Sequence, residues 1–123
     1  MNKPVRVVFL PKADTEFKRL NGIVGIQLKN GKDNTDEIQL LKSIKQKIEF
    51  IKSNPFYGEN IKKEQIPQEL KIDFKIQNLH RVELSQFWRM LYTIKGDQIE
   101  VVCFVLDILD HPAYDKLFGY RKK

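Results

Sequence analysis

Arg81 and Arg89 fall on two neighbouring strand-like runs of one expected hairpin, Asn78 to Leu84 and Phe87 to Ile94. A guanidinium carries five donors in a planar fork that matches phosphate oxygens, so two on one face make a phosphate site. The turn decides whether they share a face. A two-residue loop at Ser85-Gln86 pairs Val82 with Arg89, and one extra loop residue aligns Arg81 with Arg89. The plainer alternative makes each arginine a surface ion-pair partner of Glu83 or Glu100. Lys62, Lys63 and Glu64 stand together just before these strands. A lysine pair can bind phosphate and an adjacent carboxylate can take a proton, although a solvated charged loop has the same composition. His111 and Tyr114 are three apart on an expected helical turn, so their side chains are neighbours. An imidazole titrating near neutrality beside a phenol can move protons and stack on a base; a helix-start histidine and a packed aromatic is the plainer reading. Asp107 and Asp110 with His111 lack any spacing that selects a metal, so neither a metal nor a cofactor is expected. Phe87, Trp88 and Tyr92 read as core or sheet-face packing. There is no Gly-rich phosphate loop, no G-x-S-x-G elbow and no Cys–His dyad in a convincing context.

These groups need elements to position them. Val5 to Leu10 is β-branched and apolar between two prolines and predicts a first strand. Ala13, Phe17, Leu20, Val24 and Leu28 mark one face of a helix over 12–29. Gly22 and Gly25 each weaken it by about 1 kcal/mol relative to alanine, which predicts a bend or fraying after Asn21. Thr35 or Asn34 caps a second helix over 35–53, with Asp36 and Glu37 in its positive first turn and Ser53-Asn54-Pro55 at its end. After a Gly/Pro-punctuated segment from Pro55 to Pro67, the chain reads as strand-rich from about residue 72 to 109. The strand candidates are 78–84, 87–94 and 98–106, joined through Ser85-Gln86 and Lys95-Gly96-Asp97 into an antiparallel meander. Val101 to Leu106 is apolar on both faces and belongs in the sheet interior. Asp110 and Pro112 start a short C-terminal helix, His111 to Tyr120. The expected class is α+β: two N-terminal helices packed on one face of a small, mainly antiparallel sheet, then a short C-terminal helix.

The chain has 123 residues, which fits one domain, 1–123, able to bury a core without crosslinks or metals. Lys and Arg number 22 against 16 Asp and Glu, a net charge of +6 that favours polyanionic partners. The lone Cys103 cannot form an intramolecular disulfide, and its apolar neighbours suggest a buried thiol. No apolar run approaches the roughly 18 residues of a membrane span, and the N-terminus lacks a signal peptide's apolar segment. A cytoplasmic protein with no membrane partner is expected.

Several motifs together resemble the RelE/ParE toxin superfamily. They are Asn54-Pro55-Phe56-Tyr57-Gly58, then Ile61 to Pro67 (IKKEQIP), Asn78 to Leu84 (NLHRVEL) and Trp88 to Tyr92 (WRMLY). Val105 to His111 and Tyr114 to Tyr120 extend the likeness, an ending similar to archaeal RelE-like proteins. The resemblance covers roughly residues 54–120 by motif and the first half by element order. It implies the β-α-α-β-β-β microbial ribonuclease-like fold. It also implies the toxin of a type II toxin–antitoxin pair, which cleaves mRNA on the ribosome without a metal and is held by a cognate antitoxin. In such an enzyme a base takes the ribose 2′-hydroxyl proton and cations hold the charge developing on phosphorus. Carried over by position, Arg89 matches the central strand arginine and Arg81 the basic residue of the preceding strand. Lys62 and Lys63 would contact RNA. Glu64 is the nearest match to the glutamate base of the YoeB branch, and His111 and Tyr114 resemble its terminal His-Tyr pair, though three apart rather than adjacent. Glu83 replaces a strand lysine of RelE. The superfamily also includes non-catalytic binders, so the alternative is a ParE-like topoisomerase inhibitor or an antitoxin-binding relative.

Overall fold

A computed structural model describes residues 3–119. Strand β1 (Val5–Phe9) runs directly into helix α1 (Pro11–Lys29), where Pro11 sits in the first turn and leaves no orphan amide. The helix passes Gly22 and Gly25 without interruption, contrary to the expected bend. Leu20 and Val24 are buried against the core, and that packing outweighs the propensity cost of the glycines. Helix α2 (Asp36–Ser53) is capped by Thr35, whose hydroxyl accepts from the Ile38 amide at 3.1 Å. The pair forms one layer, with Ala13, Leu20, Val24, Ile38, Leu41, Ile44 and Ile51 packed on the sheet.

The rest of the chain builds a short edge strand β2 (Glu59–Asn60), helix α3 (Gln68–Phe74), and strands β3 (His80–Glu83), β4 (Arg89–Gly96) and β5 (Val101–Leu109). Helix α4 (His111–Phe118) follows. Among the described residues the sheet has the order β1-β5-β4-β3-β2. It is mixed, which corrects the mainly antiparallel expectation: β1 lies parallel to β5, while β5, β4, β3 and β2 pair antiparallel in turn. The meander was legible because tight loops join antiparallel neighbours; a strand separated by two helices carries no such direction signal. β5 is interior, as its doubly apolar run requires.

Two further corrections concern the second half. The chain is helical at 68–74, and within the run expected to be strand-rich from about residue 72 pairing starts only at His80. Ile72, Phe74 and Ile76 alternate with polar residues and imitate a strand, but Leu70 and Phe74 are the helical i, i+4 pair that packs. Lys75, in the left-handed region at φ 52°, stops the helix. The helices also do not lie on one face only. α3 and α4 cover the opposite face through Leu70, Leu79, Leu91, Leu106 and Tyr114, so the sheet is sandwiched. β4 and β5 stay paired to Gly96 and Val101, and Asp97 closes the turn by accepting from the Ile99 and Glu100 amides.

Candidate functional site

The β3–β4 register pairs Glu83 with Arg89, Val82 with Met90 and Arg81 with Leu91. Val82 and Met90 enter the core under α1 and α2, so alternation sends Arg81, Glu83 and Arg89 to the opposite face, toward α4. The loop has the extra residue that the sequence allowed, but it is Phe87. The added residue therefore places Glu83, not Arg81, opposite Arg89, and the two arginines end up diagonal on one face. Ser85 to Phe87 form the turn, with Gln86 and Phe87 at φ 59° and 63°. The Ser85 amide donates to Ser43 Oγ on α2 at 3.2 Å, which ties the loop down.

Helix α4 supplies the aromatic partner. Asp110 caps it by accepting from the Ala113 amide at 2.9 Å, and this places Tyr114, 2% exposed, over the arginines. Arg81 Nη1 donates to Tyr114 Oη at 2.7 Å. The guanidinium carbons of Arg89 and Arg81 lie 5.0 and 5.8 Å from the Tyr114 ring centre, within cation–π range. Arg81 forms an ion pair with Glu59 of the edge strand. Glu83 sits between the arginines, 3.2 Å from Arg89 Nε and 3.6 Å from Arg81 Nε. Neither of these contacts has hydrogen-bond alignment, so both Nε donors are buried and unsatisfied. Arg89 Nη1 donates to the Phe87 carbonyl at 2.6 Å. Burial works against the Arg81 charge, but the Tyr114 hydrogen bond and Glu59 outweigh it and raise its pKa. Two cations and two carboxylates leave the cluster neutral, with donors to spare for an oxyanion.

The structure brings Arg81, Arg89 and Tyr114 together. His111 stands at the margin: its ring lies 6.5 Å from that of Phe87, and Nε2 is 3.2 Å from Asp115 on its own helix. Lys62, Lys63 and Glu64 are elsewhere. β2 runs antiparallel to β3, with Glu59 beside Arg81 and Asn60 beside His80, and Ile61 bonds to Leu79, so the chain moves away from the Arg89 end. These three side chains are exposed and make no hydrogen bond or ion pair among the described residues. Asp107 is buried and paired with Lys12 at 3.1 Å, and burial pushes its carboxyl pKa up. Glu100 pairs with Arg6 rather than with either site arginine. Tyr92 and Trp88 pack as expected, whereas Phe87 is 75% exposed. Cys103 is buried, and burial lifts its thiol to about 11.

Glu59 was not legible as a site residue, because its partner is set by the β2–β3 register and β2 is only two residues long. Glu83 was visible as a counter-ion, but not its place between both arginines. Compared with protein-family models, with curated proteins and with solved structures, the chain matches none.

Proposed function

We propose that this chain is a RelE-like toxin, a metal-independent endoribonuclease that cleaves mRNA on the ribosome. The carrying observation is the convergence of Arg81 and Arg89 on Tyr114 from one sheet face. In the reaction the ribose 2′-oxygen gives its proton to a base and bonds to the adjacent phosphorus. The bond to the 5′-oxygen of the next nucleotide breaks, that oxygen takes a proton and leaves as a hydroxyl, and a 2′,3′-cyclic phosphate remains. The developing negative charge falls on the non-bridging oxygens, where Arg89 and Arg81 meet it with donors fixed in advance. An entering phosphodiester displaces Glu59 and Glu83. Their side chains are 63% and 61% exposed, but the arginines that they leave are 21% and 14% exposed, so the phosphate has to replace their charge as they part. A displaced carboxylate, or His111 at the margin of the cluster, can take the 2′-hydroxyl proton; Glu64, the base that the resemblance implies, lies away from the arginines. Lys62 and Lys63 extend the basic surface for RNA. A cytoplasmic location and a cognate antitoxin belong to the same reading. Primer extension on an actively translated mRNA tests it: expression of the chain yields new 5′ ends inside the reading frame that vanish when translation is blocked.

One observation favours a second reading, a non-catalytic binder such as a ParE-like topoisomerase inhibitor. Both arginines already hold carboxylates and His111 is held by Asp115, so the cluster is neutral without a ligand. Inhibition of DNA gyrase supercoiling, with no new mRNA ends, selects that reading.

A further inference from the structure

The other face of the edge strand carries a cavity of about 440 Å³ lined by Phe56, Gly58, Asn60, Asn78, His80 and Ile94. Consecutive residues of a strand face opposite sides, so Glu59 serves the arginine cluster while Asn60 lines this cavity. His80 is 4% exposed, and its Nδ1 is buried without a hydrogen-bond partner. Nδ1 is thus closed to the cavity as well as to solvent, and the ring meets a ligand through Nε2, which makes no hydrogen bond among the described residues. Its ring stacks on Tyr92, centroids 5.2 Å apart at 21°, which fixes its plane. Burial holds the imidazole pKa below its ordinary value, so the ring is neutral and offers one donor and one acceptor.

The rim is built as deliberately as the wall. Tyr92 Oη donates to the Pro55 carbonyl at 2.7 Å and accepts from the Gly58 amide at 2.9 Å, pinning the loop at both ends. That pinning holds Phe56 with its ring 6.2 Å from His80, edge-on, although Phe56 is 69% exposed. Asn78 spends its side chain on the wall, donating to the Ile94 carbonyl and accepting from the Ile94 amide and the Thr93 hydroxyl. The Asn60 side-chain amide makes no hydrogen bond among the described residues. All six lining residues are uncharged, in a chain whose net charge is +6.

We infer that this cavity is a second binding site, which takes a nucleobase stacked on Phe56 and hydrogen-bonded by His80 and Asn60. The volume lies within the usual range for small-molecule sites, which is about 300–1,000 Å³. An exposed aromatic ring stacks on any base, while the imidazole and amide match the paired donors and acceptors of a base edge. An uncharged lining suits a base and not a phosphate.

The test is titration of the isotope-labelled chain with adenosine, guanosine, cytidine and uridine, followed by backbone amide shifts. These probes lack phosphate and need no ribosome, so the outcome is separate from that of the cleavage reading. At least one nucleoside is expected to shift the Gly58, Asn60 and His80 amides saturably. Phe56→Ala, at an exposed position that leaves the fold intact, weakens that binding roughly fivefold or more, and Asn60→Ala weakens it too. Ile26→Ala, which removes an exposed apolar side chain on α1 away from the cavity, leaves it unchanged. No saturable shift at these amides with any of the four, or undiminished binding in Phe56→Ala, overturns the inference.

Discussion

Two arginines, 21% and 14% exposed at the side chain, share one tyrosine ring, and the chain tolerates this only because Glu59 and Glu83 stand beside them. Glu83 holds the place an oxyanion would take, between two unsatisfied Nε donors. Glu83→Gln should therefore tighten binding of inorganic phosphate or a short RNA, read by calorimetry. It should also lower stability by more than about 1 kcal/mol, the most that an exposed pair is worth, since the Arg89 side chain that loses its counter-charge is only 14% exposed. His80 provides a pH signature. Its pKa in the fold lies below the ordinary value of 6.5, so below that value the unfolded chain binds a proton that the folded chain refuses. Stability present above 6.5 is then lost as the pH falls toward the depressed pKa. Denaturation midpoints compared at about pH 7 and about pH 5 should fall further in the wild type than in His80→Phe. Asp107, shifted upward, works in the opposite sense, but equally in both chains. At this scale Arg81 and Arg89 were legible as candidates from residue type and neighbouring strands, and Tyr114 from its spacing to His111 and the resemblance; their convergence was not, because it rests on how α4 packs on the sheet. Glu59 and the orphaned His80 nitrogen were not, since both depend on which residues face each other across the sheet.

The elements that matter most are the short ones. The loop from Pro55 to Gly58 is tied to the sheet at both ends by the Tyr92 hydroxyl, and Gly58 is the residue that lets it approach. A Cβ there would lie 2.8 Å from Tyr92 Cε1, 2.9 Å from its hydroxyl and 3.1 Å from the Arg81 carbonyl. Gly58→Ala should accordingly destabilise the fold by about 1–3 kcal/mol, the usual range for overpacking, in a chemical denaturation series. A variant as stable as the wild type would mean that the loop is not clamped this way. The long helices and the central strands were readable because their periodicity runs over many residues. α3 was not, because seven residues cannot separate a helical from an alternating pattern. The hairpin register was not legible: the alternatives set Val82 or Arg81 opposite Arg89, and the structure sets Glu83 there. Its outcome rests on the positive φ of Gln86 and Phe87, at residues whose types do not announce it.

As a whole molecule the chain sets one neutral, donor-rich cluster in a surface of net charge +6. Among the described residues no helix is long and apolar enough to cross a membrane. The proposed ribosome partner would be held by many scattered lysines rather than by the cluster. Association in a cosedimentation assay should then weaken steeply with added salt and survive Arg89→Ala. An acidic antitoxin should bind with the same salt sensitivity, and a pull-down that recovers no small acidic partner counts against the toxin reading. The net charge of +6 is what motivates the proposed polyanionic partner; composition does not say where on the surface a phosphate would react. The central claim is that it reacts at Arg89. Primer extension on ribosome-programmed mRNA, with purified wild type and Arg89→Ala, tests this most directly. Loss of one preorganised charge stabiliser predicts cleavage slower by about 10²–10³-fold with ribosome association intact, whereas cleavage undiminished in Arg89→Ala, or absent in the wild type, would contradict it.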